Sequence, residues 1–296
     1  LFNMTPLMYA QKSECLFFEI KILKQQNKNL IDLSIEHLIN ILYYTATCGY
    51  DDVIDNLNSE VSTDTHNLLK LDKKVLNVSN LMGMTLLYLA SGRQNEKVVK
   101  FLVKLGASVD CSDIFGVTPL YAASCEGHCS IVEFLVVAGA EINRGTEEGI
   151  TPLFVACQCG HIKVVERLLA LGANINQTDQ NRGVTALHIA CREGHENIIE
   201  LLLASGAEIN GRTVGGDTPL FLACQAGHIK VTERLLALGA DPNKPRDNGE
   251  TPLHITSELG DEPLTKLLLA SGAEINGRAV DGHTPLFCAC HYGHIK

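Results

Sequence analysis

The chain has 296 residues, of which 46% are apolar, 20% charged and only 5% aromatic. Its 24 basic and 34 acidic residues give a net charge of −10, which argues against general attraction to nucleic-acid phosphates or to anionic membranes. No apolar run reaches the ~18 residues of a transmembrane helix, and the first residues lack the basic segment of a signal peptide. The eleven cysteines lie mostly beside alanine, leucine or phenylalanine, which predicts free thiols in a reducing, cytoplasmic compartment.

Residues 1–80 show the weakest internal pattern in the chain. The segments TPLMYA, from residue 5, and NILYYTATCGYDDVIDNL, at 40–57, keep parts of a motif that recurs more clearly downstream. We therefore expect two degenerate repeats over residues 1–57. Residues 58–80 are polar and break the spacing, which indicates an inserted loop or short helix; the sequence leaves open whether this insertion has a function.

A regular repeat of about 33 residues begins near residue 81. TPLFVACQCGHIK at residue 151 returns as TPLFLACQAGHIK at residue 218 and as TPLFCACHYGHIK at residue 284. The threonines of this motif are Thr85, Thr118, Thr151, Thr185, Thr218, Thr251 and Thr284. The spacing predicts six full helix–turn–helix repeats and a truncated last one over residues 81–296. LLLASGAEINGR also occurs twice, at residues 201 and 267, which indicates that a 66-residue pair of repeats was duplicated.

Each position of the motif has a physical interpretation, illustrated by the repeat that begins at Thr151. Its hydroxyl can accept a hydrogen bond from a free N–H of the first helical turn. Pro152 suits the first helical position, where a missing N–H costs nothing, and Gly160 suits a left-handed cap after the first helix. Gly172 is expected to end the second helix. The apolar stripe of that second helix consists of Val164, Val165, Leu168 and Leu169.

This pattern resembles the ankyrin repeat, whose T-P-L-H-x-A motif and 33-residue period it shares. The resemblance implies an all-α ankyrin-repeat solenoid of stacked helix–turn–helix units joined by β-hairpin or loop fingers. It further implies that the histidine of each Gly-His pair forms hydrogen bonds between neighbouring repeats. A family member of this kind is expected to be a non-enzymatic scaffold that binds another protein on its concave face.

The pair Cys157 and Cys159 with His161 could be a metal hook, a redox pair or part of the scaffold. The position of Cys157 holds serine or cysteine in every repeat, and no C-x-x-C pair or known catalytic motif is present. We therefore interpret the cluster as scaffold. We expect no catalytic residue, no metal, no cofactor and no small-molecule substrate.

By resemblance to ankyrin repeats, partner specificity should lie at the finger tips and at the two residues before Gly-His. The candidate partner-binding residues are Phe115, Glu147, Glu148, Arg182, Arg192, Arg212, Arg246, Asp247, Arg278 and Tyr292. Four successive fingers each carry one arginine, which favours an acidic or phosphorylated peptide as the partner. The alternative is that these arginines are ordinary solvated residues, two of them copied by the duplication.

Three wider questions stay open at the level of sequence. The chain stops just after Gly293 and His294, so we expect a fragment in which Leu267, Leu268 and Leu286 lack cover. It could then be the targeting arm of a larger enzyme, effector or membrane protein. The regular repeats resemble those of large eukaryotic arrays and of ankyrin proteins that host-associated bacteria use in a host cytosol.

The asparagine near the end of each repeat also has two interpretations. These asparagines are Asn143, Asn176, Asn210, Asn243 and Asn276. They resemble the residues that ankyrin repeats present to asparaginyl hydroxylases. The alternative is a structural role, in which each side chain closes its own loop by hydrogen bonds.

Overall fold

The computed structural model describes residues 76–294, which belong to two compact units; the first ends at Glu147 and the second begins at Glu148. The predictions for residues 1–57, and for residues 58–75 of the proposed insertion, lie outside the described residues. Within residues 76–294 there are thirteen helices and no strand, which confirms the all-α class. The helices are α1 (Leu86–Gly92), α2 (Glu96–Lys104), α3 (Pro119–Cys125), α4 (Cys129–Val137), α5 (Pro152–Gln158), α6 (Ile162–Ala170), α7 (Ala186–Glu193), α8 (Glu196–Ala204), α9 (Pro219–Gln225), α10 (Ile229–Ala237), α11 (Pro252–Leu259), α12 (Glu262–Ala270) and α13 (Pro285–His291).

The start of each first helix follows the predicted threonine cap. In α5 the Thr151 hydroxyl accepts a hydrogen bond from the Phe154 backbone N–H at 3.1 Å, and Pro152 occupies the first turn. Gly160 follows the end of the helix with a φ of 78°, a left-handed conformation that glycine adopts without a Cβ penalty. These features limit the first helix to about two turns.

The second helix of the repeat buries one side, as its apolar stripe predicts. Val164, Val165 and Leu168 of α6 are fully buried, whereas Leu169 is half-buried at the edge of the stripe. Gly172 follows the helix with a φ of 92°. A two-helix unit with one buried face on each helix needs neighbours on both sides, so stability comes from stacking.

Stacking follows the same rule inside each unit. In the first unit α1 packs on α3, and α2 packs on α4. In the second unit the first helices pack on one another in chain order from α5 to α13, and the second helices do so from α6 to α12. The core therefore repeats the same leucine and alanine positions from one helix pair to the next.

The expectation for the last leucines is partly wrong. Leu286 is 70% exposed, as expected, but Leu268 is fully buried and Leu267 is half-buried. Leu268 is a buried residue of α12, and α12 packs on α11 of its own repeat and on α10 of the preceding repeat. The preceding repeat thus covers a second helix. The following repeat covers the motif leucine of a first helix.

The fingers are loops within the described residues, with no ladder long enough to be a strand. One backbone hydrogen bond joins each finger to the next within a unit. In the second unit the Val214 N–H donates to the Arg182 carbonyl at 2.7 Å, and the Val280 N–H donates to the Asn248 carbonyl at 2.8 Å. Backbone contacts of this kind fix the spacing between finger tips.

The repeat-end asparagines also connect neighbouring repeats. The Asn210 Oδ1 accepts from the Asp241 N–H at 2.9 Å, and its Nδ2 donates to the Gly239 carbonyl at 3.4 Å. Asn243 makes the same pair of hydrogen bonds to Glu274 and Gly272. The structural role therefore spans two repeats instead of closing one loop, and hydroxylation stays a prediction.

Two buried histidines hold first helices to the fingers that follow them. The Nδ1 of His188 lies 3.3 Å from the Thr185 backbone nitrogen, and its Nε2 lies 3.2 Å from the carbonyl oxygens of Gly211 and Asp217. This arrangement suits a neutral ring in which Nδ1 accepts and Nε2 donates. Burial lowers the pKa of His188, and burial likewise lowers that of His254.

The protein is expected to lose stability as the pH falls below about 6.5, the ordinary histidine value. These two rings have lowered pKa values in the folded chain. Below pH 6.5 the unfolded chain therefore binds more protons, and this protonation favours unfolding. Urea unfolding at pH 7.5 and pH 5.5 measures the loss. His188→Phe with His254→Phe should reduce this loss, because phenylalanine occupies the same position at Phe154 and Phe221 and does not titrate. An equal loss in the double variant would contradict this assignment.

Candidate functional site

The Gly-His histidines bridge neighbouring repeats, as the resemblance implied. The ring Nε2 of His195 lies 3.1 Å from the Gln158 carbonyl oxygen, that of His228 lies 2.9 Å from the Arg192 carbonyl oxygen, and that of His294 lies 3.0 Å from the Glu258 carbonyl oxygen. Each accepting carbonyl belongs to the residue two positions before the glycine that follows the first helix of the preceding repeat, which is Gly160, Gly194 or Gly260. The next repeat therefore holds these three variable positions of the first helices in place.

The Cys157 and Cys159 cluster is divided between the core and the surface. Cys157 is fully buried, and burial raises the pKa of its thiol, whereas Cys159 is exposed. A neutral buried thiol is a poor metal ligand and a poor nucleophile. Across residues 76–294 no group of three histidine, cysteine or acidic residues is placed to hold a metal ion.

Alkylation should separate these two cysteines. Brief treatment of the native protein with iodoacetamide is expected to modify Cys159, whereas Cys157 reacts only after the protein is unfolded in urea, because its thiol is neutral and inaccessible. Peptide mass spectrometry measures both sites in one sample. Equal modification of both in the native state would contradict the scaffold interpretation.

Two of the four finger arginines form ion pairs between adjacent fingers. Arg212 donates from Nη2 to the Asp247 Oδ1 at 2.7 Å and to the Pro245 carbonyl at 3.2 Å. In the opposite direction, the Arg246 Nε lies 2.6 Å from the Asp217 Oδ1, at angles that do not suit a hydrogen bond. The Arg246 guanidinium also lies over the Phe221 ring at 4.8 Å from its centre. These two arginines therefore hold fingers 205–218 and 238–251 together.

The Arg212–Asp247 pair is expected to contribute about 0.5 kcal/mol, since both side chains are partly exposed to water. A double-mutant cycle of Arg212→Gln and Asp247→Asn, followed by urea unfolding, measures this coupling. It should disappear at about 1 M salt, where the screening length is only ~3 Å. Arg278→Gln is the matched control, because the exposed Arg278 lies in the same Asn-Gly-Arg segment. A coupling that is unchanged by salt would contradict the ionic interpretation.

A cleft of about 310 Å³ lies in the second unit, between fingers 171–185 and 205–218 and helices α7 and α9. We name it the arginine cleft. Its lining residues are Asn181, Arg182, Val184, His188, Ile189, Arg192, Thr213, Val214, Gly215, Asp217 and Leu222. A finger-tip residue, Arg182, and a first-helix residue two positions before Gly194, Arg192, therefore line the same cleft.

Sequence comparison agrees with this architecture. The family model for ankyrin repeats, which describes three copies, matches residues 42–146, 114–179, 153–246 and 220–296. The chain belongs to the ankyrin-repeat family. Ankyrin repeats are protein–protein interaction modules of a non-enzymatic type. No curated protein matches this ankyrin-repeat chain in sequence, and none of its described helices is both long and apolar enough to cross a membrane.

Two solved ankyrin-repeat structures are similar to this chain. The ankyrin repeat domain of human ASB11 is 30% identical, with a TM-score of 0.63, over 69% of this chain and 90% of that one. The ankyrin repeat domain of Bcl-3, a member of the IkappaB protein family, is 29% identical, with a TM-score of 0.64, over 70% of this chain and 94% of that one. These likenesses confirm the ankyrin-repeat solenoid fold.

The other predicted residues of the ankyrin-repeat protein lie at the surface of one unit or the other. In the first unit Phe115 is 55% exposed, and its carbonyl accepts from the N–H of the exposed Glu147 at 3.0 Å. In the second unit Glu148 and Arg278 are exposed. A hydrogen bond to the Glu258 carboxylate raises the pKa of the exposed Tyr292, so the Tyr292 hydroxyl already has a hydrogen-bond partner.

Sequence analysis missed the carboxylates that engage the finger arginines. Asp179 accepts from the Arg182 Nε at 3.1 Å, Asp217 pairs with Arg246, and Glu250 lies 3.4 Å from Arg246. A signal was present in the repeat alignment. The residue before the motif threonine is Val184 in one repeat but Asp217 and Glu250 in the next two. In the finger loop, the position of Asp179 is occupied by Arg246 two repeats later.

Proposed function

We propose that this chain is a non-enzymatic scaffold that binds a partner protein on the surface formed by its fingers and first helices, the concave face of an ankyrin array. The arginine cleft carries the proposal. Finger residues Arg182 and Val214 line it together with Arg192 from the first helix α7. Positions that vary between repeats therefore come together at this cleft, whereas the motif leucines Leu187 and Leu220 are buried.

Each of the two units carries further predicted residues that offer contact positions for a partner. Phe115 offers an exposed aromatic side chain at a finger tip of the first unit, and aromatic anchors contribute strongly to protein interfaces. Glu147, Glu148, Asp247, Arg278 and Tyr292 supply polar or aromatic positions on the same types of element. Arg212 and Arg246 act mainly by holding their fingers together, so we assign them a supporting role in the interface.

We infer that the protein works in a reducing compartment such as the cytoplasm. Cys157, Cys191 and Cys224 occupy the same buried position in three successive repeats, and each is a free thiol. Burial raises the pKa of all three thiols, that of Cys224 to about 12. Unpaired cysteines are retained most readily where thiols are kept reduced.

Capture of a partner by the full chain tests the proposed function. The bait is the whole chain, and any captured protein is then purified and titrated against it. Arg182→Ala, Arg192→Ala and Val214→Ala together should weaken that direct binding by at least about tenfold, since they remove exposed contacts of the finger and helix surface. Lys230→Ala with Glu233→Ala, on the exposed side of α10, is the matched control and should leave binding unchanged. Loss only with the control pair would place the interface on the second helices and contradict the proposal.

A further inference from the structure

The arginine cleft has the shape of a site for one or two side chains. Ile189 and Val184 are buried beneath it, Leu222 is half-buried, and Val214 lies exposed at its edge. Its volume of about 310 Å³ is at the lower end of the range for sites that hold a small ligand. Val214 and Leu222 suit an aliphatic or aromatic side chain of the ligand, because seating one there removes their exposed apolar surface and that of the ligand from water.

The charges at the edge of the cleft are unequal. Arg182 and Arg192 both line it, and Asp217 is the acidic lining residue. The Asp217 carboxylate is already engaged, since its Oδ1 pairs with Arg246 and its Oδ2 accepts from the Thr213 hydroxyl at 3.2 Å. The lining residues of the cleft therefore include two guanidinium groups and one engaged carboxylate, and Asp179 and Glu193 lie beside the two arginines.

Both arginines keep capacity for a ligand. The Arg182 side chain donates from Nε to Asp179 and is still 58% exposed. Arg192 donates from Nε and Nη2 to the neighbouring Glu193, and its side chain is also partly open to water. The Arg192–Glu193 pair is exposed and therefore weak, whereas the Asp179 carboxylate is buried and keeps its contact with Arg182. A ligand carboxylate can join the two guanidinium groups through their remaining N–H groups.

The position of Arg192 is fixed by the next repeat. Its carbonyl oxygen lies 2.9 Å from the His228 Nε2, which holds the end of α7. The finger that carries Arg182 is fixed as well, because the Arg182 carbonyl accepts from the Val214 N–H. The backbones that carry the two arginines are thus held before any partner arrives, which lowers the entropy cost of binding.

We propose that the arginine cleft binds an extended segment of a partner protein in which an aspartate or glutamate stands next to a large apolar residue. The carboxylate bridges Arg182 and Arg192, and the apolar side chain lies on Ile189, Val214 and Leu222. This inference rests on the proposed function and names the chemistry that the partner supplies at that surface. Arginine suits the carboxylate because its planar fork forms paired hydrogen bonds.

Selection from random peptides tests the inference without assuming a partner. The probe is a library of random dodecapeptides displayed on phage, selected on the immobilised full chain at about 50 mM salt, where ionic contacts are little screened. The expected result is enrichment of an acidic residue beside leucine, isoleucine or phenylalanine. A synthetic copy of the most enriched peptide is then titrated against variants of the chain.

Arg182→Gln and Arg192→Gln should each weaken the binding of that peptide by about tenfold, which is the effect of losing one charge-assisted contact. Arg234→Gln, on the exposed side of the second helix α10, should change the affinity less than about twofold. Changing the acidic residue of the peptide to its amide should also cost about tenfold against the wild-type chain, but almost nothing against Arg182→Gln. Unchanged urea midpoints would show that the variants remain folded.

Three outcomes would overturn the inference. Enriched peptides that lack an acidic residue, or that bind both arginine variants as well as the wild type, would place peptide binding elsewhere and leave the proposed function standing. No enrichment would also reject the cleft as a peptide site. The proposed function is judged separately, by the capture experiment with its second-helix control.

Discussion

Leu220→Ala is expected to lower the free energy of unfolding by about 3 kcal/mol, whereas Leu286→Ala lowers it by less than about 1 kcal/mol. Both leucines follow Thr-Pro and precede phenylalanine in the same motif. Leu220 is fully buried and Leu286 is 70% exposed. Removing Leu220 leaves a cavity in the second unit, while removing Leu286 takes away a side chain that is already in water.

Urea unfolding followed by circular dichroism measures both changes. Because a repeat array can lose its ends before its centre, the two variants are compared with the wild type at several wavelengths and by hydrogen exchange. Protection should fall around α9 in Leu220→Ala. Equal costs for the two variants would mean that the environment of the motif leucine does not depend on the repeat on its C-terminal side.

Gly194→Ala is expected to cost about 2–4 kcal/mol, and Gly227→Ala about 1 kcal/mol. Both glycines have positive φ angles, 81° and 78°, so alanine is strained at either position. A Cβ on Gly194 would lie 2.8 Å from the His228 Cε1, whereas a Cβ on Gly227 meets nothing within 4 Å. The difference arises because Asp261 stands at the position of the bridging histidine in the next repeat.

The comparison of these two glycine variants isolates the contribution of the histidine contact. The measured quantity is the difference between the two unfolding free energies. His228→Ala combined with Gly194→Ala should bring the additional cost of the alanine down to the value for Gly227→Ala, since the clash is removed. A cost for Gly227→Ala that equals that of Gly194→Ala would show that backbone strain alone decides the effect.

Much of the fold could be predicted from the sequence because its signals are local and repeated. The hydroxyl of Thr151, the ring of Pro152 and the freedom of Gly160 act within one helix, so a single repeat is enough to interpret them. The bridging role of His195 also followed from the family resemblance. Burial of Leu268 was misjudged, because the side from which a helix is covered depends on the packing of neighbouring repeats.

The candidate site was harder to predict because it depends on which side chains meet across repeats. The sequence places Arg182, Arg212, Arg246 and Arg278 in equivalent fingers and predicts one row of charges. The structure separates them by their partners: Arg212 and Arg246 pair with Asp247 and Asp217, and Arg182 joins Arg192 at the cleft. Rotamers and ion pairs between loops are not encoded in a 33-residue period.

The hydrogen bond between His228 and the Arg192 carbonyl has a consequence for how such arrays can change during evolution. A single repeat does not hold its own recognition residues in place, since the following repeat fixes the end of its first helix. Moving one repeat alone would separate a recognition residue from its support, whereas moving two adjacent repeats keeps them together. The smallest block that can be exchanged between arrays without losing a preformed site is therefore a pair. The duplicated LLLASGAEINGR segments, 66 residues apart, have the spacing of such a pair.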